Sequence, residues 1–181
     1  MPCNRQVKTE TVSSLFNLEI PFEKHLIIAT RGYTIAENRN YIVATAIRNG
    51  CTHLLFVDDD MVFPPETLRK LLDGDLDIYG TIAHPRDITN NTTVVDKEGK
   101  IVNRNNIPKF TFECSHLGGI FLIKLDIFKH IPQPWFATEA DKNGFTTMGE
   151  DAYFCKKAIE SGYKIWCNPS IKIGHIGDFS F

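Results

Sequence analysis

Apolar and polar positions alternate along this chain in a way that separates short apolar runs from longer segments with helical spacing. The short runs predict buried strands, and they cover residues 25–30, 53–57, 77–83, 118–123 and 163–167. A pair of glycines opens the fourth of these runs. The runs are four to eight residues in scale, which is the usual length of a strand and too short for a helix.

Between these runs, apolar residues recur every three or four positions and predict helices. A first helix ends at Asn49-Gly50, a second begins near Pro65, a third lies around residues 125–130, and a fourth opens at Gly149 and ends at Gly162. Leu68, Leu71 and Leu72 are expected to face inward, and the other apolar residues of these helices are Ala36, Val43, Ala46, Ile47, Phe154, Ala158 and Ile159. The alternation predicts an α/β fold with a mostly parallel sheet flanked by helices.

The pattern is interrupted once, between residues 86 and 109, where Asn, Thr, Lys and Gly dominate. We expect an exposed excursion there, with a hairpin turn at residues 96–100. No repeat and no second apolar pattern divides the chain, and 181 residues suit one domain. The sequence therefore predicts a single domain over residues 1–181.

The main chemical feature is a run of three acids, Asp58-Asp59-Asp60, directly after the strand at 53–57. Side chains alternate along a strand, so Asp58 and Asp60 share one face and Asp59 points the other way. Two carboxylates about 6 to 7 Å apart repel by about 2 to 3 kcal/mol, which a divalent cation reverses. Ligand crevices of open α/β sheets lie beyond the carboxyl ends of strands, so a metal-bound diphosphate fits this position. The alternative is a polar loop in which one acid caps the helix near Pro65.

Composition limits the partners and the compartment. The net charge of −2 offers no cationic field for nucleic acid, so we expect no nucleic-acid partner. Five widely spaced cysteines without a Cys-x-x-Cys pair argue against a disulfide framework and a zinc site, and favour a reducing, cytoplasmic location. No apolar stretch approaches the roughly 20 residues of a membrane span.

Three further positions carry candidate chemistry, each with a structural alternative. His175, close to Gly174 and Gly177, is a candidate metal ligand, although a lone histidine is more often a surface or core residue. Glu150 and Asp151 in a first helical turn gain from the helix dipole, yet one of them at the crevice is a candidate general base. Spacing does not decide which of the two.

The chain resembles the GT-A glycosyltransferases, in particular their compact viral and bacterial versions, over nearly its whole length. The resemblance rests on five elements in the family order: Glu37-Asn38-Arg39-Asn40, the Asp-x-Asp motif within Leu55-Phe56-Val57-Asp58-Asp59-Asp60-Met61-Val62-Phe63-Pro64, Gly118-Gly119-Ile120-Phe121-Leu122-Ile123, Gly149-Glu150-Asp151, and Gly174-His175. An Asp-x-Asp motif alone is a weak signal, whereas five ordered elements are specific. The family usually opens with a complete first strand, which looks clipped here.

The resemblance implies a role for each matching residue. It implies a metal, Mn²⁺ or Mg²⁺, held by Asp60 and His175, with Asp58 contacting the metal or the ribose. The implied nucleotide-binding positions are Thr30, Arg31, Arg39, Asp58 and Asp59, while the backbone of Gly118 and Gly119 would face the donor sugar. Asp151 matches the base of inverting members, and Glu150 would hydrogen-bond the donor sugar or the acceptor.

The function implied is transfer of a sugar from a nucleotide diphosphate donor, UDP-linked in the first instance, to a hydroxyl acceptor such as a glycan. With Asp151 as base the transfer inverts the anomeric centre, although the fold also serves retaining enzymes. Two alternatives stay open. One is a nucleotidyltransferase on a related fold, and the other is a module that binds a nucleotide sugar or a glycan without turnover.

Overall fold

The computed structural model describes residues 1–3, 6–84 and 91–177, and its centre is a seven-stranded mixed sheet. The helices are α1 (Thr9–Phe16), α2 (Ile35–Arg48), α3 (Thr67–Leu72) and α4 (Glu150–Glu160), with short 3-10 helices over Arg104–Asn106 and Leu125–Lys129. The strands are β1 (His53–Val57), β2 (Met61–Val62), β3 (Ile78–Ile82), β4 (Asn91–Asp96), β5 (Ile101–Asn103), β6 (Phe112–His116), β7 (Ile120–Lys124), β8 (Glu139–Ala140), β9 (Thr146–Met148), β10 (Ile165–Lys172) and β11 (Gly174–His175).

The sheet is mixed and largely antiparallel, with strand order β1-β7-β3-β10-β6-β4-β5. Within the described ranges only β3 and β10 pair in parallel, and the other neighbours of this sheet run antiparallel. The prediction of an α/β fold is confirmed, but the prediction of a mostly parallel sheet is wrong. The apolar pattern reports which segments are buried, and it carries no information on strand order. Here β7 lies between β1 and β3 and runs opposite to both.

The predicted strand at residues 25–30 is not a strand. Its backbone contacts the N-terminal residues, through an isolated parallel bridge between Pro2 and Thr30 and a hydrogen bond from the Met1 ammonium to Ile28 O at 2.7 Å. Its apolar side chains are not buried either, since Leu26 is 48% and Ile27 68% exposed. An apolar run forms a strand only when a neighbouring strand takes up its backbone groups, and the described residues bond this run at Ile28 and Thr30 without a continuous ladder.

The predicted excursion is more ordered than the sequence suggests. Residues 85–90 lie outside the described part of the chain, but 91–103 form the hairpin β4-β5, which β4 joins to the main sheet through β6. The predicted turn at 96–100 is confirmed, because the amide of Asp96 donates to Lys100 O at 2.8 Å and Gly99 has a φ of +82°. These strands carry polar residues at half-buried positions, so their sequences lack the apolar run by which the other strands are predicted.

Smaller differences concern the ends and faces of elements. The predicted helix at 125–130 is a 3-10 helix, and two residues of the helical apolar pattern, Ile47 of α2 and Ile159 of α4, are each 43% exposed. The last strand, predicted over 163–167, begins at Ile165 and continues to Lys172. Tertiary packing sets such boundaries, and local pattern does not.

Apolar side chains pack on both faces of the sheet. On one face α2 and α4 cover an aromatic stack, in which Phe136 and Phe154 lie 4.8 Å apart between ring centroids. On the other face Leu68 and Leu71 of α3 pack around Met61. Each such side chain contributes about 1.5 to 3 kcal/mol when fully buried, so both layers hold the sheet. All five cysteines are free thiols.

Among the described residues, no helix combines the length and the apolar content that crossing a lipid bilayer requires.

Gly119, at the start of β7, offers a test of the packing. It has a φ of +85°, and a Cβ there would lie 3.1 Å from Met61 Cε and 3.2 Å from Ala83 Cβ. Gly144 has a φ of +86° with nothing within 4 Å of its Cβ position, which makes it a matched control. We expect Gly144→Ala to lower the free energy of unfolding by about 1 to 2 kcal/mol through backbone strain alone. Gly119→Ala should cost about 1 to 3 kcal/mol more, because it also overpacks the core.

The measurement is urea denaturation of both variants beside the parent protein. Equal losses for the two glycines would contradict the close packing at the start of β7.

Candidate functional site

The carboxyl ends of β1 and β3 meet the start of β7, and most of the predicted site residues gather beside this junction. The amide of Asp58 donates to Gly119 O at 3.3 Å, which joins the acidic run to the glycine pair. A cavity of about 130 Å³ opens next to it. Its lining residues are Pro2, Ile35, Arg39, Asp58, Asp59, Asp60, Glu150 and His175. The crevice predicted beyond the carboxyl ends of the strands is therefore present in this structure.

Arg39 forms the centre of the cavity wall, and its side chain is only 2% exposed. Its Nη2 donates to Asp58 Oδ1 at 2.7 Å and its Nε donates to Glu150 Oε1 at 3.2 Å. The guanidinium carbon also lies 5.0 to 5.8 Å from three ring centroids, those of Phe56, Phe121 and Phe136. The guanidinium of Arg39 therefore connects α2 to the end of β1 and to the start of α4, and three aromatic rings surround it.

This arrangement perturbs the pKa values of both ends of the ion pair. Burial alone would lower the pKa of Arg39, but the charges of Asp58, Glu150 and Asp151 raise it above its ordinary value. Burial raises the pKa of Asp58, and the nearby Glu150 and Asp151 charges act in the same direction against the opposing effect of Arg39. Arg39 is therefore permanently charged, and its charge opposes the burial that raises the pKa of Asp58.

The sequence places Arg39 through the first turn of α2. Thr34 caps this helix by accepting a hydrogen bond from the amide of Glu37, while Glu37 accepts one from the amide of Thr34. One turn later, Asn40 Oδ1 accepts from the amides of Trp135 and Phe136, each at 3.1 Å. The segment Glu37-Asn38-Arg39-Asn40 is thus fixed at both ends, with Arg39 directed at the acids.

His175 and Asp60, which also line the cavity, are in contact with each other. His175 Nε2 lies 3.1 Å from Asp60 Oδ2, and its Nδ1 lies 2.9 Å from the carbonyl oxygen of His84. The strands β2 and β11 pair antiparallel and bring His175 opposite Met61, and the amide of Ile176 donates to Asp60 O at 2.9 Å. Because a carbonyl only accepts, Nδ1 carries a proton and Nε2 faces the carboxylate.

The predicted metal set is only partly assembled. Asp60 and His175 are together, but Asp58 Oδ1 is engaged by Arg39, and the described ranges contain no cluster of three metal-ligating side chains. A carboxylate with an imidazole suits Mn²⁺ better than Mg²⁺, which prefers oxygen alone. The metal roles of Asp58, Asp60 and His175 remain predictions.

Asp151 lies beside the cavity and does not line it. Its Oδ1 accepts from the amide of Ala152 at 2.7 Å, and its Oδ2 is 3.9 Å from Nε2 of His116. A Cβ on Gly118 would approach Asp151 Oδ2 to 2.7 Å, so the absence of a side chain at Gly118 leaves room for this carboxylate. Gly118 therefore permits the observed position of the Asp151 carboxylate, and its predicted contact with a donor sugar stays a prediction.

The remaining predicted residues are peripheral. Thr30 is paired with Pro2, which lines the cavity, and Arg31 is exposed next to it. His84, His116 and the aromatic rings around Arg39 are neighbours of the site that the sequence does not reveal. The rings come from segments far apart in the chain, and single histidines in polar surroundings carry no periodic signal, so no pattern could single them out.

Comparison with known proteins rests on structure, since no family model and no curated protein matches this sequence. A solved structure of A197 from STIV matches with a TM-score of 0.65 and 18% identity, over 98% of this chain and 84% of that chain. GalNAc-T7, solved with UDP, GalNAc and Mn²⁺, matches with a TM-score of 0.56 and 16% identity, over 94% of this chain. The chain spans 34% of the length of GalNAc-T7.

A UDP-glucose pyrophosphorylase complexed with UDP-glucose also matches, at a TM-score of 0.48 and 10% identity, which is too distant to support an argument. At these identities the likeness concerns the fold. The chain has the mixed, Rossmann-like α/β architecture of the GT-A type that GalNAc-T7 shares.

Proposed function

We propose that this chain is a metal-dependent glycosyltransferase that moves a sugar from a nucleotide diphosphate donor, in the first instance a UDP-sugar, to a hydroxyl acceptor such as a glycan. The observation that carries the proposal is the contact between Asp60 and His175 at 3.1 Å, at the edge of a cavity that other carboxylates line. The shared fold with GalNAc-T7, a structure that holds UDP, GalNAc and Mn²⁺, supports it.

The hydrogen bonds around His175 favour a cation. A neutral imidazole has one N–H, and here the carbonyl oxygen of His84 accepts it from Nδ1. The lone pair of Nε2 then faces the carboxylate of Asp60, and either a second ring proton or a metal ion between the two atoms makes this contact favourable. A backbone carbonyl that fixes the ring in this way is a frequent partner of metal-binding histidines.

Asp60 and His175 would hold Mn²⁺ or Mg²⁺ and leave coordination positions for water and the donor phosphates. When bound, such an ion neutralises the leaving diphosphate. Asp58, which accepts a hydrogen bond from Arg39 Nη2, lines the same cavity and would contact the metal or the ribose.

The contacts of the two acids on α4 support Asp151 over Glu150 as the general base. Glu150 Oε1 already accepts from Arg39, whereas Asp151 Oδ2 is directed at Gly118 and remains partly exposed. In the proposed step the acceptor oxygen attacks the anomeric carbon, the bond from that carbon to the diphosphate breaks, and the hydroxyl proton passes to Asp151. This displacement inverts the anomeric centre.

The proposed metal ligands can be tested by binding alone. We expect Asp60→Asn and His175→Ala each to weaken Mn²⁺ binding in the presence of UDP by at least about 10-fold, because each removes one of two protein ligands. The measurement is Mn²⁺ titration followed by electron paramagnetic resonance. Asp126→Asn, which changes an exposed acid paired with Lys129, is the control and should bind as the parent does. Unchanged Mn²⁺ affinity in both site variants would refute the metal site.

The proposed base is tested by Asp151→Asn in an assay of UDP release from a panel of UDP-sugars with Mn²⁺ and water or a sugar acceptor. We expect the rate to fall by about 10² to 10⁴, the usual contribution of a general base, with UDP affinity unchanged. Glu160→Gln, on the exposed last position of α4, should retain the parent rate. Loss of UDP binding together with the rate would instead assign Asp151 a structural role.

Two further measurements, of pyrophosphate release and of nucleotide-sugar binding, separate the alternatives. Release of pyrophosphate from a nucleoside triphosphate and a sugar phosphate, without UDP release from UDP-sugars, would identify a nucleotidyltransferase. Tight binding of nucleotide sugars with neither product would identify a binding module.

A further inference from the structure

His116, the last residue of β6, faces the carboxylate of Asp151 and has no part in the chemistry described so far. Its Nε2 lies 3.9 Å from Asp151 Oδ2, and its side chain is 22% exposed. Its Nδ1 is buried and makes no hydrogen bond to any described group. Gly118, two residues later, passes under the same carboxylate oxygen. One short segment of chain therefore supplies two neighbours of Asp151.

The surroundings of the ring decide which nitrogen carries the proton. A buried N–H without an acceptor costs about 1 to 3 kcal/mol, so the tautomer with a proton on Nδ1 is disfavoured where no acceptor is present. The tautomer with a proton on Nε2 directs that N–H at Asp151 Oδ2. His116 is in this way prepared as a donor to the carboxylate.

We propose that His116 is a positioning residue that fixes the carboxylate of Asp151 for removal of the acceptor proton. This inference rests on the proposed function of Asp151 as the base. The amide of Ala152 donates to Oδ1 at 2.7 Å, and His116 Nε2 would donate to Oδ2 once the two atoms approach by about 1 Å. Hydrogen bonds of catalytic groups are often long without substrate and shorten in the complex.

Both oxygens of Asp151 then have a donor, and the remaining lone pair of Oδ2 is oriented for the attacking hydroxyl. Gly118 contributes by the absence of a side chain, since a Cβ would displace Oδ2 from this position. Rotation of the carboxylate away from the acceptor would break both hydrogen bonds. The arrangement therefore acts on the rate of the proton transfer and leaves donor binding unaffected.

The kinetic test compares His116→Ala with His116→Gln, whose side-chain amide keeps a donor. We expect His116→Ala to lower kcat for UDP release by about 10-fold with KM for the UDP-sugar within about 2-fold, and His116→Gln to restore most of the loss. In the Asp151→Asn background, His116→Ala should have no further effect, because its action passes through Asp151. Additive losses, or a raised KM with unchanged kcat, would overturn the proposal.

A spectroscopic readout keeps the inference separate from the proposed function. In ¹⁵N spectra of the histidine rings, the His116 Nε2 signal should be that of a protonated nitrogen, and it should shift in Asp151→Asn. The control is the ring of His53, which is hydrogen-bonded to Thr52 and whose signal should not shift. A protonated Nδ1 with a bare Nε2, or a His116 signal that ignores Asp151→Asn, overturns the positioning role. If the His116 signal shifts in Asp151→Asn as expected but the parent protein releases no UDP, the proposed function is overturned, and the contact between His116 and Asp151 is still supported.

Discussion

The buried guanidinium of Arg39 is the interaction on which the arrangement of the site depends. A charge taken out of water costs several kcal/mol, and here two carboxylates and three aromatic rings offset that cost. Because Asp58 follows β1 and Glu150 opens α4, a single side chain of α2 sets the distance between the acidic run and the helix that carries Asp151. Removing one partner of such a pair leaves an uncompensated charge, which typically costs about 3 to 5 kcal/mol.

Much of this architecture could be predicted from the sequence, for identifiable reasons. The helix at α2, the strand before the acids and the turn at residues 96–100 follow from spacing and from local chemistry, and the structure has all three. The proximity of His175 to Asp60, 115 residues apart, follows only from the resemblance in motif order. Strand direction could not be predicted, because β7 enters the sheet between β1 and β3 without any mark in its own apolar pattern.

Most residues of the candidate site could be predicted, but the hydrogen bonds and ion pairs among them could not. Arg39 was expected beside a nucleotide, and the structure has its Nε and Nη2 on protein carboxylates. That difference arises from burial, since Phe121 and Phe136 enclose the guanidinium from distant parts of the chain. The same holds for His116, whose relation to Asp151 depends on how β6 leads into the glycine pair.

His175 is held by a two-stranded ribbon, β2 with β11, that is separate from the seven-stranded sheet. One of its two residue pairs sets His175 opposite Met61, which is 1% exposed within the apolar core. The position of the imidazole beside Asp60 is therefore coupled to the core packing of a methionine. A substitution that loosens this packing should separate the two side chains even though it touches neither of them.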